Sequence, residues 1–322
     1  MARRTWLWLL IAVVIGVAAV SAVGDVRHVG EKLAGFNWWA LGATLGLALA
    51  NYSLRFVRWQ LYLRRQRVSV PTSSSALVFG AGLSLSITPA KLGELVKSYL
   101  LRELHDVPAV QTAPIVVAER VSDLVALLGL AVIGVAVYGV QTTLVAVAAC
   151  AIAFGLVLLA WPRPTRALID LVTTPAKLRR LRAPLQEMYG GLAALCRPKP
   201  LILATEIAIP AWSCECIGFA LICDAFPGAH IALGLAMVIY AATTIAGALS
   251  FLPGGLGVTE GAMTFALVSG AAHLDASTAL AATLLTRLAT LWFAVVLGIG
   301  FLAIARRRIA QRVANANPAR DP

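Results

Sequence analysis

The chain has 322 residues, 60% of them hydrophobic and only 13% charged, with a mean hydropathy of +0.84. So few charges cannot cover the surface of a water-soluble domain of this length, which excludes an ordinary soluble enzyme and points to an all-α, polytopic integral membrane protein. The 27 Lys and Arg against 15 Asp and Glu leave a net charge of +12, an excess that membrane topology explains before nucleic acid does.

From the N-terminus, residues 6–23 form an apolar run of spanning length behind Arg3 and Arg4. The "VSA" at 20–22 resembles a signal-peptide cleavage site, but the 18-residue apolar length favours a retained helix. A second span is expected at 38–58. It runs into "NYSLRFVRWQLYLRRQR", where Arg55, Arg58 and the cluster Arg64, Arg65 and Arg67 fit snorkelling and positive-inside anchoring.

The next apolar segment, 74–103, is interrupted by "SLSITPAKLGE". Pro89 stops one half-helix, and Gly93 lets the backbone turn. The continuing arm has Leu92, Leu95, Val96, Tyr99 and Leu100 on one side and Lys91, Glu94, Lys97 and Ser98 on the other. A re-entrant hairpin is expected.

A full span follows at 115–137, with Glu119, Arg120 and Asp123 inside it. Each of these charges is costly if left to lipid, so all three must face protein or water. Arg120 lies three residues from Asp123 and can pair with it, and Asp123 sits about 13 Å beyond Pro114, near mid-depth. A further span is expected at 143–161.

Residues 162–200 read as a cytoplasmic basic loop containing Arg163, Arg166, Lys177, Arg179, Arg180, Arg182, Arg197 and Lys199. A span at 201–223 leads to a second interrupted segment at 231–271, whose "SFLPGGLGVTEGAMTFAL" repeats the order of the first. Ser86, Pro89 and Gly93 are matched by Ser250, Pro253 and Gly257, with Glu94 and Glu260 shortly after, and Gly254 and Gly255 complete the turn. The last span, 277–303, carries Arg287 about 15 Å inside, before a basic tail, 304–322, with Arg306, Arg307 and Arg308.

Alternating sides from a cytoplasmic N-terminus puts every basic cluster inside and leaves only Arg27 and Lys32 outside, provided the two hairpins do not cross. The expectation is therefore one membrane domain over 1–322 in the cytoplasmic membrane, with both termini cytoplasmic. It has about six spans and two re-entrant broken-helix hairpins in an inverted repeat, with half-repeats at 38–161 and 201–303. Glu94 and Glu260 either cap the half-helices or pair with Arg120 and Arg287.

His28, His105, His230 and His273 have no metal-ligand spacing. Cys150, Cys196, Cys214, Cys216 and Cys223 show no paired C-x-x-C pattern and read as small core residues. No metal, cofactor or nucleic-acid partner is expected.

"RFVRW", "TPAKLGE", "ERVSD" and "LPGGLGVTEG", in that order, resemble the lysylphosphatidylglycerol synthase transmembrane-region family, also called flippase-like, over roughly residues 38–303. Its multiple peptide resistance factors join such a membrane domain to a soluble aminoacyl transferase. No transferase half is read in this chain, so the resemblance implies translocation without aminoacylation, and therefore no enzyme activity. Stand-alone relatives are linked to phospholipids, polyprenyl-linked sugars or hopanoid-type lipids.

By position, the resemblance carries over to Pro89, Gly93, Glu94, Glu119, Arg120, Asp123, Pro253, Gly254, Gly255, Gly257, Glu260 and Arg287. The expected function is a flippase-like transporter whose anionic headgroup site uses Lys91, Glu94, Glu119, Arg120, Asp123, Glu260 and Arg287, with membrane lipids as partners. Two alternatives stay open. One is a membrane-embedded enzyme with Glu119 and Asp123 as acid and base; the other is a subunit that recruits a lipid-modifying enzyme through the 162–200 loop.

Overall fold

The computed structural model describes residues 26–138, 162–175, 178–270 and 272–316. The expected spans at 6–23 and 143–161, with Cys150 and Lys177, lie outside them. Among the described residues there is no strand. Four helices among these residues are long and apolar enough to cross a bilayer, as expected of an all-α polytopic membrane protein.

A short helix α1 (Val26–Ala34) precedes α2 (Trp39–Arg65). At 1.5 Å per residue α2 is about 40 Å long, more than the ~30 Å hydrocarbon core. Trp38 and Trp39 lie exposed at its start, the position of an interfacial anchor.

Hairpin 1 follows. Its first arm α3 (Thr72–Leu83) is only about 18 Å long, too short to cross. After Ser84–Thr88 the chain makes a 3₁₀ turn at Pro89–Leu95, with the proline in the first turn, where its missing N–H costs nothing. The second arm is α4 (Val96–His105). The long helix α5 (Ala109–Tyr138) carries the intramembrane acids.

The 162–200 segment, expected as a loop, contains α6 (Pro162–Val172) and α7 (Arg182–Leu195). The Arg182 guanidinium bonds Asp170 at 2.7 Å and ties the two together. Helix α8 (Pro198–Asp224) starts with proline at its first position. Hairpin 2 comprises α9 (Leu233–Leu249), a 3₁₀ turn at Pro253–Gly255 and α10 (Val258–Ser269).

The last span is α11 (Ala276–Arg287), a π turn at Leu288–Trp292 and α12 (Phe293–Ala316) in one continuous rod. The helix thus runs well into the expected tail. Asp275 caps α11 by accepting from the Thr278 N–H at 3.0 Å.

Helices α2 and α8 form the central pair. Asn37 N–H bonds Ala225 O at 3.1 Å, Thr44 Oγ1 bonds Gly218 O at 3.1 Å, and Asn51 Nδ2 bonds Ala211 O at 2.7 Å. Residue numbers rise on α2 as they fall on α8, so the two are antiparallel. Hairpin 1 begins beyond the C-terminus of α2 and hairpin 2 beyond that of α8, so they enter from opposite ends. Their turns then meet in the middle, where Ile87, Leu256, Leu291 and Val295 form a small apolar cluster.

That meeting demands glycine. Gly254 has φ +61, and a Cβ there would sit 3.1 Å from Ile87 Cγ1. On the other side of hairpin 1, Gly298 of α12 lies so close to Leu83 and Ser84 that a Cβ would collide with their backbone.

Candidate functional site

The first half supplies a buried ion-pair network around α5. The Arg58 guanidinium, 0% exposed, bonds Asp123 Oδ1 at 2.6 Å. Trp212 Nε1 of α8 donates to the same oxygen at 3.0 Å. The Lys97 ammonium lies 2.5 Å from Glu119 and 3.2 Å from Glu94, over the Trp59 ring at 4.7 Å. Arg120 reaches Asp123 at 3.1 Å and Glu94 at 3.5 Å, while Arg55 approaches Glu94 at 3.7 Å.

Each carboxylate faces at least one cation. That is the condition under which such groups are held in a low-dielectric interior, where leaving one partner alone costs several kcal/mol.

The second half is sparser. Arg287 Nε bonds Glu260 Oε1 at 2.6 Å, and its Nη2 donates to Gly254 O at 2.6 Å. The other Glu260 oxygen accepts the Gly257 N–H at 2.7 Å. Glu260 therefore both caps α10 and pairs with Arg287. The N-terminus of α10 is thus occupied by its own carboxylate. In hairpin 1, the Gly93 N–H is likewise taken by Thr88 Oγ1 at 2.6 Å.

Between the halves lies a cavity of about 390 Å³. Lys91, Arg120 and Arg287, from both hairpin regions, line it together, as do Arg55, Asp123 and Glu215. Glu94 and Glu260 stand behind this wall and hold its cations Arg55, Arg120 and Arg287, while Glu119 lies deeper and pairs with Lys97, which is off the wall. Pro89, Gly93, Pro253, Gly255 and Gly257 shape the turns. Lys91 has no carboxylate within ion-pairing distance among the described residues; its ammonium lies 5.7 Å from the Trp212 ring centre. Its backbone is left-handed at φ +55, a conformation that costs a non-glycine residue roughly 1–2 kcal/mol.

The cations Arg55, Arg58, Lys91, Lys97, Arg120 and Arg287 face the carboxylates Glu94, Glu119, Asp123, Glu215 and Glu260, one fewer. With all ionised, the cluster keeps one positive charge for an anion. The cavity's other lining mixes hydroxyl-bearing side chains, Ser86, Thr88 and Tyr240 among them, with apolar ones, of which Leu92, Val117, Leu249, Phe251 and Leu252 are also exposed on the protein surface. A charged chamber thus opens through a greasy rim.

One sequence reading is corrected. Arg55 and Arg58 do not snorkel to the interface: both are buried, because α2 turns them toward α5, where Asp123 waits. Across the 3₁₀ turn and the start of α4 the polar side faces inward. Glu94, Lys97 and Ser98 are buried, while Leu92, Leu95 and Tyr99 are exposed. A signal for the arginines was present, since two carboxylates against one arginine in α5 require cations from elsewhere. Glu215 and Tyr240 were missed altogether, although an acid within an apolar span is itself a signal.

Residues 7–298 match the family model described as the lysylphosphatidylglycerol synthase TM region. Among curated proteins, the chain is similar to a UPF0104 membrane protein of Methanothermobacter thermautotrophicus, 27% identical over 136 residues. That match covers 42% of this chain and 39% of the relative, well under half of either.

Proposed function

We propose, from the premise that this chain belongs to the lysylphosphatidylglycerol synthase TM-region family, that it is a flippase-like transporter moving a lipid with an anionic headgroup across the membrane. The observation that carries this reading is the cavity between the hairpin tips. Lys91, Arg120 and Arg287 converge on it, and its apolar rim is exposed where acyl or prenyl chains would lie. A phosphate would take the chamber, its desolvation offset by the guanidiniums and the ammonium, while the tails stay in the bilayer.

Hairpins entering from opposite ends and touching at their tips provide two gates around one site, the arrangement alternating access requires. Movement of the hairpins past each other would expose the chamber to one leaflet and then the other. The distribution of basic clusters supports a reading with both termini on the cytoplasmic side of the cell membrane. No step of this reading calls for enzyme chemistry.

Lys91 gives the cleanest test, because K91A removes a headgroup charge without breaking an ion pair. Purified protein is reconstituted in liposomes, and fluorescent anionic lipids are followed between leaflets. K91A and R287A are expected to slow movement at least tenfold, with K91A melting like wild type. Normal movement by both variants would refute the role of the cavity, and a new lipid product on mass analysis would favour an enzyme instead.

A further inference from the structure

Glu215 is the cavity-lining carboxylate that the ion-pair network leaves out. Among the described residues no cation comes within 4.0 Å of it, whereas Asp123, the other acid on the cavity wall, has both Arg58 and Arg120. Its single hydrogen-bond partner among the described residues is the Tyr240 hydroxyl, which donates to Oε2 at 2.5 Å. The second oxygen makes no hydrogen bond to a described residue, and Glu215 lines the same chamber as Lys91. A buried acid with one phenol for company is not placed there to hold helices together.

We infer that Glu215 is a proton-binding site coupled to the headgroup, so that the transporter carries an anionic lipid together with a proton. The inference rests on the transport reading above. The groups facing Glu215 are Tyr52 and Arg55 of α2, Lys91 of hairpin 1, Asp123 of α5, Tyr240 of α9 and Arg287 of α11, with Cys214 and Cys216 beside it on α8. In the empty chamber Lys91 has no ion-pair partner among the described residues and Arg55 only Glu94 at 3.7 Å, so both are left to attract the carboxylate form.

A phosphate that draws on Lys91 and Arg55 brings a negative charge into the chamber opposite Glu215, which favours the protonated form. The fixed charges are the same before and after, so the coupling is set by the repulsion between headgroup and carboxylate. At about 6 Å and an effective dielectric constant of about 20, that repulsion shifts the proton equilibrium roughly a hundredfold. By linkage, the proton tightens headgroup binding by the same factor. In the reorganised, reopened chamber the lipid leaves, and the proton leaves from Glu215 to water on that side.

The test uses the full chain in liposomes with a pH-sensitive dye inside and a fluorescent phosphatidylglycerol outside, with and without a pH gradient. Wild type is expected to admit protons when the lipid is supplied. It should also accumulate lipid in the leaflet facing the alkaline side, up to about tenfold per pH unit for one proton.

E215Q should lose both the proton signal and the gradient-driven accumulation. Y240F removes a donor to the carboxylate, so the pH at half-maximal transport should move up by about one unit or more. Should E215Q fail to fold, the Y240F shift decides. Lipid movement by wild type with no proton entry and no bias from the gradient would overturn the inference and leave the flippase reading intact. No lipid movement under any gradient would overturn both. Transport of amine-bearing lipids that depends on Glu215 at every pH without proton entry would also overturn it, making Glu215 a headgroup contact.

Discussion

Asp123→Asn isolates the cost of the buried network. The side chain bonds Arg58 at 2.6 Å, Arg120 at 3.1 Å and the Trp212 indole at 3.0 Å. Asparagine keeps an acceptor for Trp212 but removes the charge. Arg58, 0% exposed, has Asp123 as its one ion-pair partner among the described residues and cannot lose its proton at any accessible pH. Leaving such a charge alone costs about 3–5 kcal/mol. At about 2 °C per kcal/mol for a chain of this size, the melting temperature in detergent should fall by roughly 6–10 °C.

The double variant R58M/D123N replaces the pair with groups of similar volume and no charge. It should recover most of the loss, because a buried ion pair is often no more stabilising than an apolar replacement. If D123N melts within about 2 °C of wild type, the burial argument fails. A double variant less stable than D123N alone would show that Arg58 has another partner.

Gly254→Ala should cost about 1–3 kcal/mol, through the left-handed backbone and contact with Ile87; an unchanged melt would mean the hairpin tips do not touch. Tyr52→Phe removes the hydroxyl that donates to Thr290 O within the π turn at 2.8 Å. It should cost about 1 kcal/mol and speed amide exchange across 288–292, whereas exchange as in wild type would deny the tyrosine that role. Arg182, bonding and facing Asp170, holds that carboxyl below its ordinary range. A depressed carboxyl stabilises above its unfolded pKa of about 3.9 and loses that contribution as pH falls through the folded value. Exchange in α6 should therefore rise below about pH 4, and D170N should show the raised rate already at neutral pH.

The broken hairpins were legible because Pro89, Gly93, Pro253 and Gly254 interrupt apolar runs that have no other reason to carry them. The pairing of Glu94 with Arg120 and of Glu260 with Arg287 was an open alternative in the sequence, and both pairs form. Arg55 and Arg58 sit in other surroundings than the sequence suggests. Periodicity shows that a polar stripe exists but not which way it faces, and in a bilayer the polar side turns inward and the apolar side outward. Helix α6 escaped notice because a short helix with alternating basic and apolar residues has the composition of a loop. Glu215 was hidden by its neighbours: a lone acid between two cysteines has no local partner to mark it, and Tyr240 lies on a different helix.

The network also divides into fixed and exchangeable members. Arg58 and Lys97 are fully enclosed and make the shortest bonds, 2.6 Å to Asp123 and 2.5 Å to Glu119. Arg120 is one-fifth exposed, with its partners at 3.1 and 3.5 Å, and Arg55 reaches only 3.7 Å from Glu94. Both loosely held guanidiniums line the cavity, whereas Arg58 and Lys97 do not. If Arg120 turned toward a headgroup, Asp123 would keep Arg58 and Glu94 would keep Lys97, so no carboxylate would be stranded. That redundancy lets a charged group change partners inside a membrane without the penalty that breaking an isolated buried pair would impose. The same change at Arg287 would leave Glu260 with only the Gly257 N–H, so the first half is the one built to give way.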